Sequence, residues 1–246
     1  MKKIAVLTAL LFAALQIGYA QKVGLVLSGG GAKGAAHIGV IKALEENGIP
    51  IDYITGTSAG AIVGSLYAMG YTPEEMVELM LSEEFSYWQT GTVENEYKYY
   101  FKRPDPTPEF GHFSIDMTDS LQVKASFLPQ SLINPIQMNQ AFMALFSQAT
   151  AKAGWNFDNL FVPFRCVASD IYSKKAIIFK NGDLGDAVRA SMTFPFFFQP
   201  IWKDSVPIFD GGIYDNFPVG PMKEAFHPDF IFGSTVAGGN NKPSSN

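Results

Sequence analysis

Residues 22–27 form an apolar, β-branched run that stops at Ser28-Gly29-Gly30-Gly31, the pattern of a buried strand ended by a turn. Beyond Gly34 the apolar positions Ile38, Ile41 and Leu44 recur at helical spacing and Asn47-Gly48 supplies a stop, which predicts a helix over 34–47. Residues 51–55 read as a second short strand, and the small residues of 59–69 as a second helix closed by Gly70. Thr72-Pro73-Glu74-Glu75 opens a third: Thr72 caps, Pro73 suits the first helical position, and Glu75 completes a capping box. Strand, Gly-rich turn, helix, strand, tight turn, helix is the grammar of an α/β fold with a parallel sheet.

The pattern then changes. Residues 85–155 are rich in aromatics (Phe85, Tyr87, Trp88, Tyr97, Tyr99, Tyr100, Phe101) and carry Pro104, Pro106 and Pro108. Two readings stand equally: a cap inserted over the active face, or an aromatic extension of the core. Regularity returns with strand-like runs at 162–169 and 176–180, a helix at 184–190, and a Phe-rich stretch at 193–202. A strand at 206–209 leads into Asp210-Gly211-Gly212, another follows at 229–236, and residues 240–246 form a polar tail.

Residues 1–20 stand apart. Lys2 and Lys3 precede an apolar run, followed by Gly18-Tyr19-Ala20 and Gln21, the layout of a secretory signal cleaved after Ala20. The run is shorter than the roughly 20 apolar residues of a comfortable span. Export to the periplasm, outer membrane or exterior is the expectation. The alternative is a first element of the domain.

Composition narrows the classes. With 246 residues, 47% hydrophobic and 17% charged, the chain buries a large core, which excludes disorder and a coiled coil. The formal charge of −5 becomes −7 without Lys2 and Lys3, and no basic block tracks a phosphate backbone, so nucleic acid is not an expected partner. Cys166 lies in an apolar run and reads as a buried, inert thiol.

Two glycine motifs carry chemistry. Gly56-Thr57-Ser58-Ala59-Gly60 matches G-x-S-x-G between a predicted strand and a predicted helix. A nucleophile elbow needs small neighbours at such a turn, and the helix start favours developing negative charge at Ser58. The bland alternative is a Gly-Ser turn with Thr57 or Ser58 as N-cap. Gly29-Gly30-Gly31-Ala32-Lys33-Gly34 matches G-x-G-x-x-G, yet a dinucleotide site wants an acidic residue at the end of the second strand. Asp52 sits at that strand's beginning, and Gly34 replaces the Ser or Thr of a Walker loop. Unhindered N–H groups of an oxyanion hole are the other use of such a loop.

A serine nucleophile needs a base. His37 falls inside a predicted helix, where packing is the simpler role, and His112 has no supporting motif. Ser58, Asp210 and His227 follow the chain order of an α/β-hydrolase triad. Asp210 before two glycines is either a presented carboxylate or an ordinary Asp-Gly turn.

In this order the three Gly-rich motifs, with Arg189-Ala190-Ser191-Met192-Thr193-Phe194-Pro195 ahead of Asp210, resemble the bacterial patatin-like phospholipase family over residues 22–236. The resemblance implies a three-layer α/β/α fold with a mainly parallel central sheet. It also implies a Ser-Asp dyad without histidine: Ser58 as nucleophile and Asp210 as general base. Gly29, Gly30 and Gly31, assisted by Ala59, would supply the oxyanion N–H groups. Lys33, Gly34, Gly56, Gly60, Gly211 and Gly212 would support the motifs, and no metal or cofactor is required. The implied substrate is a phospholipid or other acyl-ester lipid, with peripheral membrane contact. Phe194, Phe196, Phe197, Phe198 and Trp202 read as core first, and as an acyl slot or bilayer contact second. Family members usually continue with further helix and sheet, so residues 21–239 are expected to be a hydrolase domain lacking a C-terminal part.

Overall fold

A computed structural model of the chain describes residues 21–92, 112–116, 122–126 and 132–238. The expected signal segment and the polar tail lie outside the described residues. Strand β1 (Val23–Leu27) is buried throughout and lies between β2 (Tyr53–Thr57) and β9 (Phe230–Ser234), parallel to both. β5 (Phe164–Asp170) adds a parallel strand beside β2. A parallel strand covered on both faces is apolar on both, which is why β1 reads as an unbroken run. β6 (Lys175–Phe179) and β8 (Val206–Asp210) each pair antiparallel with β5, and β7 (Ile201–Lys203) pairs antiparallel with β8. The whole is an α/β fold with a mostly parallel central sheet.

Helices cover both faces. α1 (Ala36–Glu46) follows a 3-10 turn at Gly31–Ala35, then come α2 (Ala59–Ala68), α3 (Pro73–Leu81) and α4 (Glu83–Thr90). α5 (Ile136–Lys152), α6 (Leu184–Ser191) and α7 (Val219–Phe226) complete them. Leu25, Leu27, Ile54, Leu66, Phe146 and Phe164 are fully buried in one main core. Each such side chain contributes roughly 1.5–3 kcal/mol of transfer free energy. Successive residues of a strand face opposite ways. Leu27 therefore meets α2 at Gly64, while Gly24 faces Met222 of α7.

Three differences from the sequence expectation bear on the site. β2 begins at Tyr53 and runs on through Gly56 and Thr57, pairing with Leu27 and Val167. The helix expected over 34–47 starts as the 3-10 turn. The aromatic stretch contains α4, α5 and an antiparallel pair, β3 (His112–Asp116) with β4 (Gln122–Ser126). Phe142 and Phe146 of α5 belong to the main core, and Trp88 of α4 packs edge-on to Phe142 at 6.3 Å between centroids. To that extent the core-extension reading holds; the rest of the stretch lies outside the described residues. The Thr72 capping box is present, with Thr72 N–H on Glu75 at 2.8 Å. No helix among the described residues is long and apolar enough to cross a membrane.

One feature of the topology builds the site. Cys166 pairs with Gly56 on one side and Phe179 on the other, while Ala168 pairs with Asp210 and Ile177. β2 and β8 therefore share the side of β5 opposite β6, and they run toward each other. Thr57 lies opposite Val167 and Asp210 opposite Ala168, so their C-terminal ends meet on adjacent rungs.

Candidate active site

Ser58 stands where β2 turns into α2, with φ 53° and ψ −120°, a strained conformation for a residue with a Cβ. Its carbonyl starts the helix, accepting from the N–H groups of Ala61 (2.9 Å) and Ile62 (3.1 Å). Its own N–H donates to the Ser191 hydroxyl of α6 at 2.8 Å, and that hydroxyl in turn donates to the Val167 carbonyl. The turn is tight enough to demand glycine. A Cβ on Gly60 would strike the carbonyl of Leu27, and one on Gly56 would come 2.5 Å from the carbonyl oxygen of Gly60. Gly34 is buried against the Ala59 methyl, which seats the glycine loop on the start of α2.

The head-on ends of β2 and β8 bring Ser58 and Asp210 together. Ser58 Oγ donates to Asp210 Oδ2 at 2.7 Å, and the Gly212 N–H donates to Oδ1 at 2.7 Å. A Cβ on Gly211 would collide with the Val167 carbonyl, so only glycine lets the chain turn there beside β5. Asp210 is buried, and burial raises its pKa above 3.8 against the opposing pull of the Ser58 hydroxyl and the Gly212 N–H. Such a carboxylate is a stronger base than an exposed one.

The glycine loop departs from expectation at its first residue. The Gly29 N–H donates to the Asn216 carbonyl at 3.1 Å and is not free for an oxyanion. Among the described residues, the N–H groups of Gly30, Gly31 and Ala59 have no acceptor. Gly31 and Ala59 open helical turns, where the first N–H groups are orphans. Lys33 is exposed on the same loop, its Nζ beside Gly238.

The other candidates are not brought in. His227 is exposed at the C-terminal end of α7, just before β9 pairs with the first residue of β1. Ser58 follows the last residue of β2, at the opposite end of the sheet, so the triad arrangement is absent. Asp52, the acid the dinucleotide reading needed, likewise lies at the far end, bonded to Lys22 Nζ (2.7 Å) and the Val23 N–H (2.8 Å). His37 is buried and hydrogen-bonded to Ser234 and Ser28. Cys166 is buried, which pushes its thiol up to about 12. No cluster of three or more His, Cys, Asp or Glu side chains suited to a metal exists among the described residues.

Ser58, Asp210 and the loop line one cavity of about 920 Å³ with largely apolar walls. Trp88 of α4 and Met138 and Phe142 of α5 form part of it, with Phe194, Phe197 and Phe198 from the Phe-rich stretch. The expectation that this stretch is core fails for most of it. Phe194, Phe196 and Phe197 are 57%, 59% and 44% exposed; Phe198 alone of the run is buried. The cause is the turn at 194–198, whose strain includes Phe196 at φ 69°. Sequence reasoning missed Asn216 and gave Ser191, quoted only within the 189–195 segment, no role; the contacts of both lie far along the chain and carry no local periodicity.

A serine at a strained strand-to-helix turn, bonded to a buried carboxylate above an apolar cavity, is the layout of an α/β serine hydrolase. The chain belongs to the patatin-like phospholipase family, whose model matches residues 25–223. It is 31% identical over 217 residues to Lysophospholipase NTE1 of Pyricularia oryzae, covering 88% of this chain and 12% of that protein. It is 29% identical to a patatin-like phospholipase domain-containing protein of Caenorhabditis elegans, covering 82% of this chain and 12% of that one. The chain thus spans about an eighth of the length of these curated relatives. Among solved structures, VipD from Legionella pneumophila matches with a TM-score of 0.53 at 17% identity, over 87% of this chain and 49% of that one, a likeness of fold.

Proposed function

We propose that this protein is a lipid acyl hydrolase acting through Ser58 and Asp210. The observation that carries it is the 2.7 Å bond between Ser58 Oγ and the buried Asp210, at the wall of an apolar cavity of about 920 Å³. As Ser58 Oγ attacks an ester carbonyl carbon, its proton passes to Asp210 Oδ2. The carbonyl oxygen, now an anion, takes hydrogen bonds from the N–H groups of Gly30, Gly31 and Ala59. Collapse returns the proton to the leaving alcohol and leaves an acyl-Ser58 ester. Asp210 then takes a proton from water, whose oxygen attacks that ester, and returns it to Ser58 Oγ as the acid leaves. The substrate is a phospholipid or lysophospholipid, its acyl chain against Trp88, Phe142 and Phe197.

The exposed Phe194, Phe196 and Phe197 support peripheral contact with the lipid surface, and the leader read in residues 1–20 supports export with cleavage after Ala20. N-terminal sequencing of protein recovered outside the cytoplasm checks the second point; an intact Met1 overturns it. The activity is tested by fluorophosphonate labelling read by intact mass, with the wild type beside Ser58→Ala, Asp210→Asn and His227→Ala. Labelling lost with Ser58→Ala, strongly slowed by Asp210→Asn and kept with His227→Ala is expected, with hydrolysis rising from short to long acyl esters. Loss with His227→Ala would move the base to histidine. No labelling of folded wild type would end the proposal.

A further inference from the structure

The first glycine of the loop is held from several directions, and the hold has a direction of its own. All three polar groups of Ser28 are bound, in four hydrogen bonds. Its N–H donates to the Ser234 carbonyl (3.0 Å), and its hydroxyl accepts from the Val236 N–H (2.9 Å) and donates to the Gly29 carbonyl (3.0 Å). Its carbonyl accepts from His37 Nε2 at 2.9 Å. Because a carbonyl only accepts, Nε2 carries the proton, and Nδ1 accepts from the Ser234 hydroxyl at 2.7 Å. The Ser28–Gly29 peptide is thus pinned at both ends, with its N–H on Asn216.

The next peptide matters for chemistry. In a trans peptide the C=O and the following N–H point in opposite directions. The Gly29 carbonyl is drawn back by the Ser28 hydroxyl and, at 3.4 Å, by Asn216 Nδ2. The Gly30 N–H of that same peptide therefore points the other way and has no acceptor among the described residues. Glycines on both sides make rotation of this peptide easy, since neither Cβ resists it. Asn216 also fills the space between the loop and the Asp210 turn: a Cβ on Gly29 would clash with its Oδ1, and one on Gly212 would come 2.8 Å from it.

We infer that Asn216, with Ser28, is a positioning residue for the oxyanion site: the pair holds the Gly29 carbonyl back and so keeps the Gly30 N–H facing the oxygen that becomes charged. This rests on the proposed roles of Ser58 and the loop. It gives Asn216 a task separable from folding and from substrate affinity, because the acyl contacts proposed above, Trp88, Phe142 and Phe197, are other residues of the cavity that Asn216 also lines.

The test compares wild type with Asn216→Ala and with Ser28→Ala, which removes one oxygen and little volume. Three readouts are taken: kcat and KM on a soluble nitrophenyl ester, thermal midpoint, and the Gly30 amide resonance in protein labelled with 15N-glycine. Expected for both variants is a kcat lower by about 10-fold to 100-fold, short of losing an oxyanion donor outright. KM should stay within about twofold, the midpoint should fall by no more than about ten degrees, the largest effect expected of leaving the Val236 N–H unbonded in Ser28→Ala, and the Gly30 resonance should broaden or split. Unchanged kcat overturns the inference, as does a loss lying in KM with Gly30 unaltered, which marks a substrate contact. Should Asn216→Ala not fold, full kcat in Ser28→Ala overturns it. If wild type hydrolyses no ester, the proposed function has failed, and a Gly30 resonance unmoved by both substitutions then overturns the positioning role independently.

Discussion

Replacing Asp210 by Asn should raise stability while removing turnover. Burial holds the folded-state pKa of Asp210 above its ordinary 3.8, so the folded protein favours the neutral carboxyl more than the unfolded chain does. The sign follows from linkage. Above the folded pKa the ionised group subtracts from stability, and as pH falls toward the unfolded value the deficit disappears. Each unit of elevation is worth about 1.4 kcal/mol. Asn keeps the shape: its Oδ1 still accepts from the Gly212 N–H, and its amide donates where the Ser58 hydroxyl now does. Since 1 kcal/mol moves Tm by about 2–4 °C in a domain of this size, Asp210→Asn should melt a few degrees above wild type at neutral pH. The gap should close as the buffer is taken toward pH 4. Losing the base should lower kcat by about 10²–10⁴. The wild-type rate should show an acid limb above the usual carboxylate range. Differential scanning calorimetry from acid to neutral pH, with ester turnover on the same samples, reads all of this. A variant that melts below wild type at neutral pH, or turns over within tenfold of it, would falsify the reasoning.

Gly60→Ala places a methyl on the Leu27 backbone, which no rotamer relieves, so it should cost at least about 1–3 kcal/mol, checked by urea titration. Ser191→Ala strands the Ser58 N–H and frees the Val167 carbonyl; a loss of about 1–3 kcal/mol is expected, with a fall in kcat, read by melting and turnover together. Trp88→Ala removes a cavity wall and should raise KM for long-chain esters while leaving acetate esters little changed, which a chain-length series measures.

Much of the sheet was legible because β1 and β2 are largely buried and announce themselves as apolar, β-branched runs that end at glycine-rich turns. Ser58 and Asp210 were legible for the same reason: each follows such a run directly, beside glycines that a turn requires. What stayed hidden depends on distance along the chain. Nothing local to Asn216 signals its carbonyl on the Gly29 N–H, so Gly29 read as a free donor. The aromatics of 85–155 looked alike in sequence. Phe146 is fully buried in the core, Phe142 is both core and cavity wall, and Phe85 lines the cavity, a division set by packing rather than residue type. Phe194, Phe196 and Phe197 read as core by composition, yet a strained turn holds them at the surface.

The register of the sheet explains why the proposed chemistry runs without histidine. In a Ser-His-Asp arrangement an imidazole separates hydroxyl from carboxylate and carries the proton between them. Here β2 and β8 end face to face on adjacent rungs of β5, and the hydroxyl meets the carboxylate at 2.7 Å, leaving no gap for a ring. The carboxylate must then be basic by itself, and burial beside the Val167 backbone supplies that basicity. The single Gly212 N–H on its far oxygen holds the orientation without quenching the effect. A β8 that stopped one rung earlier would open space for an intermediary but would turn its last side chain to the other face of the sheet. Strand pairing, more than the inventory of titratable residues, is what favours the proposed two-residue mechanism on this fold.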